Sequence, residues 1–140
     1  MNKSFSGPKA FLSNFYLDTF DWKGHPAVSS EHAYQSEKAI NPDDKLWILQ
    51  AKTPGEAKRR GRLVEKDPAF DKTKINIMLE ILRVKFRNPY LAKKLLETGT
   101  EQLVEGNSWG DTFWGVCNGK GSNHLGKCLM QIREELRKVQ

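Results

Sequence analysis

The sequence predicts a single helix-rich α+β domain, residues 1–140, with a small β-sheet. Three observations predict this fold class. Capping residues followed by proline recur through the middle of the chain and mark the starts of several helices. Aromatic residues and a turn dipeptide near the N-terminus favour short strands. A chain of 140 residues is long enough for one sizeable hydrophobic core.

The strand signals lie in two regions. Residues 5–28 combine aromatic side chains with turn residues, and Lys23-Gly24 is a turn signal within them. Gln102-Leu103-Val104-Glu105 is a second candidate strand. We expect the small sheet to combine the N-terminal third with the 102–117 region.

Helix signals begin at Ser30, the predicted N-cap of the first helix. Asn41-Pro42 starts a second helix, which we expect to run to about Ala51. Thr53-Pro54-Gly55-Glu56 fits a capping box with proline at the first helical position. That third helix is expected to end near Gly61.

Three further helices follow. Asp67-Pro68 begins the longest, with an apolar stripe formed by Ile75, Met78, Leu79, Leu82 and Phe86. Asn88-Pro89 begins a short helix that Thr98-Gly99 ends. The last helix is predicted to start near Asn123, and its apolar face consists of Leu125, Leu129, Ile132 and Leu136.

Composition excludes some classes of protein. The chain contains no apolar run near membrane-spanning length, and Met1-Asn2-Lys3-Ser4 leads directly into polar sequence without a secretory pattern, so we expect a cytoplasmic protein. Cys117 and Cys128 are then expected to be reduced thiols without familiar zinc spacing, and no metal site is predicted. The net charge of +6 permits phosphorylated ligands or polyanions without requiring them.

The most informative pattern is a polar stripe on the first helix. Glu31, Tyr34, Gln35 and Lys38 are spaced i, i+3, i+4 and i+7, so a helix would place them on one face. Such a face is usually a solvated charged surface. Alternatively, Lys38 pairs with Glu31 or acts as an amine nucleophile, which requires desolvation or a neighbouring cation.

A second cluster lies near the last helix. Gly119-Lys120-Gly121 before Asn123 is either a tight turn or a loop whose amides hold a phosphate at a helix start. Asp111 is either a turn residue or a functional carboxylate. Arg62 belongs to a basic cluster that either faces solvent or meets phosphate.

Together these residues resemble the NADAR family, also called YbiA-like. The resemblance runs from Phe11 to Arg133. The matching pieces, in chain order, are Leu12-Ser13-Asn14-Phe15, Ser30-Glu31-His32 with Gln35 and Lys38, Ala57 with Gly61-Arg62, Asp111-x-x-Trp114-Gly115, Gly119-Lys120-Gly121-x-Asn123-x-Leu125-Gly126 and Leu129-Met130-x-x-Arg133. The chain departs from the common pattern at Val28 and in the Trp114–Gly119 loop, which affects substrate choice more than chemistry.

The resemblance implies an enzyme that cleaves N-glycosidic bonds. One branch of the family acts on phosphoribosylamino-pyrimidine intermediates of riboflavin synthesis, and another removes ADP-ribose from guanine bases in nucleic acid. It further implies that Lys38 attacks the anomeric carbon and forms a Schiff base with the opened sugar. Glu31 and Asp111 would then serve in acid–base steps.

We therefore expect a cytoplasmic N-glycosidase with no metal or organic cofactor. Its substrate is expected to be a phosphoribosyl small molecule or ADP-ribosylated nucleic acid. The expected substrate-binding residues are Asn14, Gln35, Arg62, Trp114, Gly119, Lys120, Gly121 and Asn123. The alternative functions are a non-catalytic module that binds ADP-ribose or nucleic-acid phosphates and, with less support, a structural partner protein.

Overall fold

The computed structural model describes residues 5–139 and divides into two compact units. Residues 14–85 form the middle unit, and residues 5–13 together with 86–139 form the terminal unit. Met1–Ser4, which entered the expectation of a cytoplasmic protein, lies outside the described residues. Within the described residues, no helix is long and apolar enough to cross a membrane.

The middle unit begins with a β-hairpin. Strand β1 (Phe20–Trp22) pairs antiparallel with β2 (His25–Ala27). Lys23 and Gly24 have φ values of 54° and 90°, the left-handed pair that a two-residue hairpin turn requires. The predicted turn is therefore confirmed.

Four helices follow within residues 14–85: α1 (Ser30–Ser36), α2 (Pro42–Leu49), α3 (Pro54–Gly61) and α4 (Phe70–Lys85). The predicted caps of the second and third helices are confirmed. The Asn41 side chain accepts a hydrogen bond from the backbone of Asp43, and Thr53 accepts one from Glu56.

The predicted N-cap of the first helix is wrong, and the helix stops short of Lys38, the last residue of the polar stripe. Ser29, in an extended conformation, is the N-cap, and its hydroxyl accepts from the His32 backbone, whereas Ser30 is already helical. The helix ends at Ser36 because the chain next bonds to a distant segment. Ala39 forms a β-bridge with Lys66 there, so Lys38 lies in a turn.

Helix α1 is buried along its whole length and packs against α2, α3 and α4. In α4 the buried stripe includes Phe70, Met78, Ile81 and Leu82. The predicted stripe is wrong at Ile75, which is 37% exposed because it lies beside this stripe. Polar side chains on α1 are consequently removed from water and need partners within the protein.

The terminal unit contains a 3-10 helix (Gly7–Leu12), α5 (Pro89–Glu97), β3 (Gly106–Asn107), β4 (Val116–Cys117) and α6 (His124–Lys138). Asn88 caps α5, and Gly99, with φ of 63°, follows its end as predicted. Helix α6 packs on α5 and buries Leu125, Leu129 and Ile132, whereas Leu136 is only half-buried.

The predicted strand and sheet are wrong. Strand β3 begins after Glu105 and pairs in parallel with β4, while the N-terminal hairpin forms its own two-stranded sheet. Residues 102–105 are not a strand, and a side chain takes two of the backbone groups that a strand would use for pairing. Asn123 Nδ2 donates to the Leu103 carbonyl at 2.9 Å, and the Glu105 N–H donates to Asn123 Oδ1 at 2.9 Å.

Candidate functional site

In the middle unit, α1 brings Glu31 and Gln35 together one helical turn apart. Both side chains are buried, and Gln35 Nε2 donates to Glu31 Oε2 at 2.6 Å. The Glu31 N–H donates to the carbonyl of Asn14 at 2.9 Å. The carboxylate is thus held within the protein by a charge-assisted hydrogen bond.

Lys38 joins this pair although it lies beyond the helix. Its N–H donates to the Gln35 carbonyl at 3.1 Å, and its carbonyl accepts from Asp67 at 2.8 Å. Its half-buried side chain places Nζ 5.9 Å from the centroid of the Tyr34 ring. The polar stripe predicted from helical spacing is therefore present, but backbone contacts with the 65–67 segment position its last member.

The turn that carries Lys38 is also tied to the hairpin. Glu37 accepts a hydrogen bond from Trp22 Nε1 at 3.1 Å and pairs with Lys23 Nζ at 3.0 Å. The indole of Trp22 is buried, so this contact anchors the turn on the hairpin.

Burial lowers the pKa of Lys38 and is the largest effect on it. The neighbouring cations Lys66, Arg62 and Lys58 lower it further, while the attraction of Glu31 acts in the opposite direction. The lowered pKa favours a larger fraction of neutral amine than an exposed lysine offers, which is the direction that a lysine nucleophile needs.

These cations come from outside α1. Arg62 is exposed at the C-terminal cap of α3, and Lys66 follows it in the segment bridged to Ala39. Sequence reasoning identified Arg62 but missed Lys66. No local pattern links Lys66 with Lys38, because only the bridge brings the two segments together.

His32, part of the matching motif, has a structural role. Its Nδ1 lies 2.7 Å from Ser29 Oγ, and its Nε2 lies 2.9 Å from the Ala51 carbonyl. Burial lowers its pKa and so favours the neutral ring, and Nε2 is the donor because the Ala51 carbonyl can only accept. The imidazole therefore joins the start of α1 to the residues after α2.

Asn14 contacts α1 through its backbone carbonyl, and its side-chain amide is directed elsewhere in the middle unit. Its Nδ2 lies 3.8 Å from Met78 Sδ, whereas its buried Oδ1 has no hydrogen-bond partner among the described residues. A buried acceptor without a partner is uncommon and fits a position where a ligand donates.

In the terminal unit, Asp111 lies in a tightly bonded loop. Its Oδ1 accepts from the backbones of Phe113 at 3.1 Å and Trp114 at 2.9 Å. The Asn107 side chain bonds both the N–H and the carbonyl of Asp111, at 3.0 and 2.8 Å. Asp111 is therefore a turn residue, and the turn also fixes the orientation of its carboxylate.

Glu105 is a second carboxyl near Asp111 that sequence reasoning treated only as a strand residue. Burial, reinforced by the charge of Asp111, raises its pKa to about 7, against the effect of the Phe5 N–H, which donates at 3.4 Å. No sequence signal marked it, because its burial depends on the packing of the loop.

The raised pKa of Glu105 predicts that the free energy of unfolding depends on pH. Below the ordinary pKa of 4.5, Glu105 is protonated in both states. Between pH 4.5 and about 7 the unfolded chain releases the proton first, so the free energy of unfolding falls as pH rises. We expect Glu105→Gln to remove this loss and, because solvent screens this half-buried group and reduces the effect, to be more stable than the natural chain by only about 2 kcal/mol at pH 8.

Urea denaturation of both proteins at pH 4.5 and pH 8 measures this difference. Glu134→Gln, an exposed position on α6, is the control and should show little change. A stability advantage of Glu105→Gln that is equal at the two pH values would contradict the assignment.

The glycine-rich loop is a hairpin. The backbones of Cys117 and Lys120 exchange hydrogen bonds of 2.8 and 3.1 Å, and Asn118 and Gly119 have positive φ. The N–H groups of residues 122–125 donate to carbonyls of residues 112–115. The prediction that the amides after Gly119 hold a phosphate is wrong for these groups, because loop carbonyls already occupy them.

Gly121 and Asn123 serve packing in this loop. A Cβ on Gly121 would overlap the Gly115 carbonyl. Asn123 precedes α6 in the left-handed region, φ 53°, and its side chain makes no capping bond because it is occupied by Leu103 and Glu105. The side chain of Asn123 therefore holds the 103–105 segment, and its predicted contact with substrate stays a prediction. The side chain of Lys120 is exposed.

Trp114 belongs to an aromatic cluster. Its half-buried ring meets Phe113 edge-on at 4.9 Å between centroids, and His124 lies 6.4 Å away. These side chains pack against the half-buried ring, and its exposed part suits a stacking surface.

The structure brings the predicted residues together in two groups. Asn14, Glu31, Gln35, Lys38 and Arg62 belong to the middle unit, and the later residues from Asp111 onward belong to the terminal unit. Their convergence in one cleft stays a prediction. Among residues 5–139, no three His, Cys, Asp or Glu side chains form a group suited to a metal ion.

Comparison with known proteins identifies the family. The sequence model of the family described as the NADAR domain matches residues 2–137, a range that includes residues of both units. An N-glycosidase of Nostoc punctiforme is 41% identical over 94% of this chain and 88% of its own length. A riboflavin biosynthesis protein of Vibrio vulnificus is 38% identical over 90% of this chain, which spans only 35% of that protein.

A solved structure agrees with the predicted fold class. The structure of Escherichia coli YbiA superposes with a TM-score of 0.88 at 31% identity, covering 98% of this chain and 83% of YbiA. The helix-rich α+β prediction is confirmed. The prediction of an N-glycosidase is confirmed at the level of the family, since relatives that match most of this chain carry that name. The chain belongs to the NADAR family.

Proposed function

We propose that this chain is an N-glycosidase that releases a base from a phosphorylated ribose or from ADP-ribose. The observation that carries the proposal is the partly desolvated amine of Lys38 beside the buried Glu31 carboxylate. An amine of lowered pKa suits attack on a masked aldehyde, and a carboxylate beside it suits proton transfer. The names of relatives, N-glycosidase and riboflavin biosynthesis protein, agree with this chemistry.

In the proposed reaction, Lys38 Nζ forms a bond to the anomeric carbon as the bond to the base nitrogen breaks. Glu31 accepts the proton that the attacking amine loses, and Asp111, which first takes up a proton from solvent, passes that proton to the departing base. Glu31 returns its proton to the ring oxygen, which opens the sugar and leaves a Schiff base on Lys38. Water hydrolyses this intermediate to the free sugar aldehyde and restores the lysine.

Substrate binding is assigned to polar groups that the fold leaves available. Asn14 Oδ1 is a buried acceptor without a protein partner among the described residues, and Arg62 is an exposed cation that acts on Lys38. Trp114 offers a stacking surface for the base. Lys120 offers a cation for phosphate, with Gly119 and Gly121 shaping its hairpin.

The proposal is tested by incubating the protein separately with ADP-ribosylated guanine DNA and with a phosphoribosylamino-pyrimidine. Mass spectrometry then identifies the released sugar and base. Release of the base from only one of the two substrates shows whether the chain belongs to the branch that acts on nucleic acid or to the branch that acts on small molecules. Release from neither substrate, with bound product ADP-ribose still detected, would support a non-catalytic binding module instead.

Lys120→Ala is expected to raise KM about tenfold and to change kcat little, because a contact with a distal phosphate contributes mainly uniform binding. Steady-state kinetics on the preferred substrate measure both values. Lys127→Ala, an exposed lysine on α6, is the control. A normal KM with a large fall in kcat would contradict the phosphate assignment.

A further inference from the structure

Gly61, at the end of α3, lies directly against the amide of Gln35. A Cβ built on Gly61 would overlap Gln35 Oε1, lie 3.0 Å from its Cδ and 3.3 Å from its Cβ. Gly61 is buried and its φ is not in the left-handed region, so backbone conformation does not explain a glycine here. The close approach of the Gln35 side chain does explain it.

The Gln35 amide has two ends with different surroundings. Nε2 donates to Glu31 Oε2 at 2.6 Å, whereas Oε1 packs on Gly61 and has no hydrogen-bond partner among the described residues. The side chain is only 3% exposed. The donating end is consequently directed at the carboxylate, and the accepting end fills the space that the missing Cβ leaves.

We propose that Gly61 and Gln35 act as a positioning pair that holds the Glu31 carboxylate in its productive orientation. The inference rests on the proposed function of Glu31 in proton transfer. Gln35 then acts through Glu31 rather than by touching the substrate, which replaces its sequence-based assignment as a binding residue. Gly61 has no chemistry of its own and acts by permitting the position of Gln35.

The contact predicts how the protein accommodates a larger residue at position 61. The atom in conflict is the end of a flexible side chain, so Gln35 moves more easily than the backbone of either helix. Movement of its amide breaks the bond to Glu31. The cost of Gly61→Ala should therefore appear mainly in the chemical step rather than in folding.

Steady-state kinetics of a double-mutant cycle test the pair. Gly61→Ala and Gln35→Ala are each expected to lower kcat about tenfold or more with KM nearly unchanged, because a misplaced catalytic group weakens the transition state alone. The double variant should be no slower than Gln35→Ala, since alanine at position 35 leaves no amide to displace. The proposal would be overturned if the fall in kcat of the double variant equalled the product of the two single falls. A rise in KM without a fall in kcat would also overturn it.

Two further variants separate positioning from folding. Gly55→Ala, in the first turn of the same helix, meets only Thr53 Oγ1 at an ordinary 3.9 Å and should leave kcat unchanged. Gln35→Met keeps the length of the side chain but cannot donate, and it tests the hydrogen bond even if Gly61→Ala does not fold. Normal kcat in Gln35→Met would count against the proposal.

NMR spectroscopy tests the contact between Gly61 and Gln35 without any need for enzymatic turnover. The side-chain NH₂ signals of Gln35, identified in ¹⁵N spectra by their absence from Gln35→Ala, should shift and exchange faster with water in Gly61→Ala. Unchanged signals would overturn the pairing even if the natural chain cleaved neither substrate. An inactive natural chain with shifted signals would instead refute the proposed function while leaving the contact intact.

Discussion

Lys38→Arg is expected to abolish release of the base, with kcat falling more than about a thousandfold, the scale of losing a covalent nucleophile. Burial and three neighbouring cations lower the pKa of the lysine amine, which increases the neutral fraction able to attack carbon. Guanidinium keeps its proton under the same conditions and cannot add to a carbon centre. Binding of product ADP-ribose should largely survive because a cation remains at the position.

Borohydride trapping measures the covalent step directly. Reduction during turnover should attach the sugar to Lys38 in the natural chain and leave Lys38→Arg unlabelled, as read by mass spectrometry of peptides. Lys72→Arg, an exposed lysine on α4, is the matched control and should behave like the natural chain. Near-normal turnover of Lys38→Arg would show that water, activated by the carboxylates, attacks the anomeric carbon instead.

Glu31→Gln and Asp111→Asn are each expected to slow turnover by about a hundredfold or more, the usual scale for losing a general acid or base. Both changes preserve the local structure. The amide oxygen at position 31 can still accept from Gln35 Nε2, and an amide oxygen at position 111 can still accept from the Phe113 and Trp114 backbones. The loss therefore reports on charge and proton transfer rather than on folding.

Single-turnover rates measure this loss, and borohydride trapping should still label Lys38 in both variants. Glu80→Gln, an exposed carboxylate on α4, controls for the removal of a charge. A normal rate in Asp111→Asn would reduce Asp111 to its role in the turn. A normal rate in Glu31→Gln would remove the proton acceptor from the proposed reaction.

Local structure was predictable wherever neighbouring residues determine the backbone. Asn41, Thr53 and Asn88 each satisfy N–H groups two or three residues later, so the starts of three helices follow from short motifs. The Lys23-Gly24 turn is equally local. The strand predicted at residues 102–105 was wrong, and the Asn123 side chain, 18 and 20 residues away, takes the Glu105 N–H and the Leu103 carbonyl.

The candidate site was predictable only in part. Spacing on α1 identified Glu31 and Gln35 correctly as neighbours, since i and i+4 share a helix face. It placed Lys38 on the same helix, whereas the helix ends at Ser36 and a tertiary bridge carries the lysine. The raised pKa of Glu105 and the contact of Gly61 with Gln35 had no sequence signal of their own, because both arise from packing.

The sequence by itself determined the family, the helix-rich α+β fold class and the residue types of the polar stripe, because these depend on motifs and on bonds between near neighbours. Tertiary structure decided which of those residues can perform chemistry. It buried α1 on all sides and set cations from α3 and the following segment around Lys38. It also paired the amides at the start of α6 with loop carbonyls. Burial and charge at a side chain sum over every segment packed against it, so no single segment of the sequence reveals them.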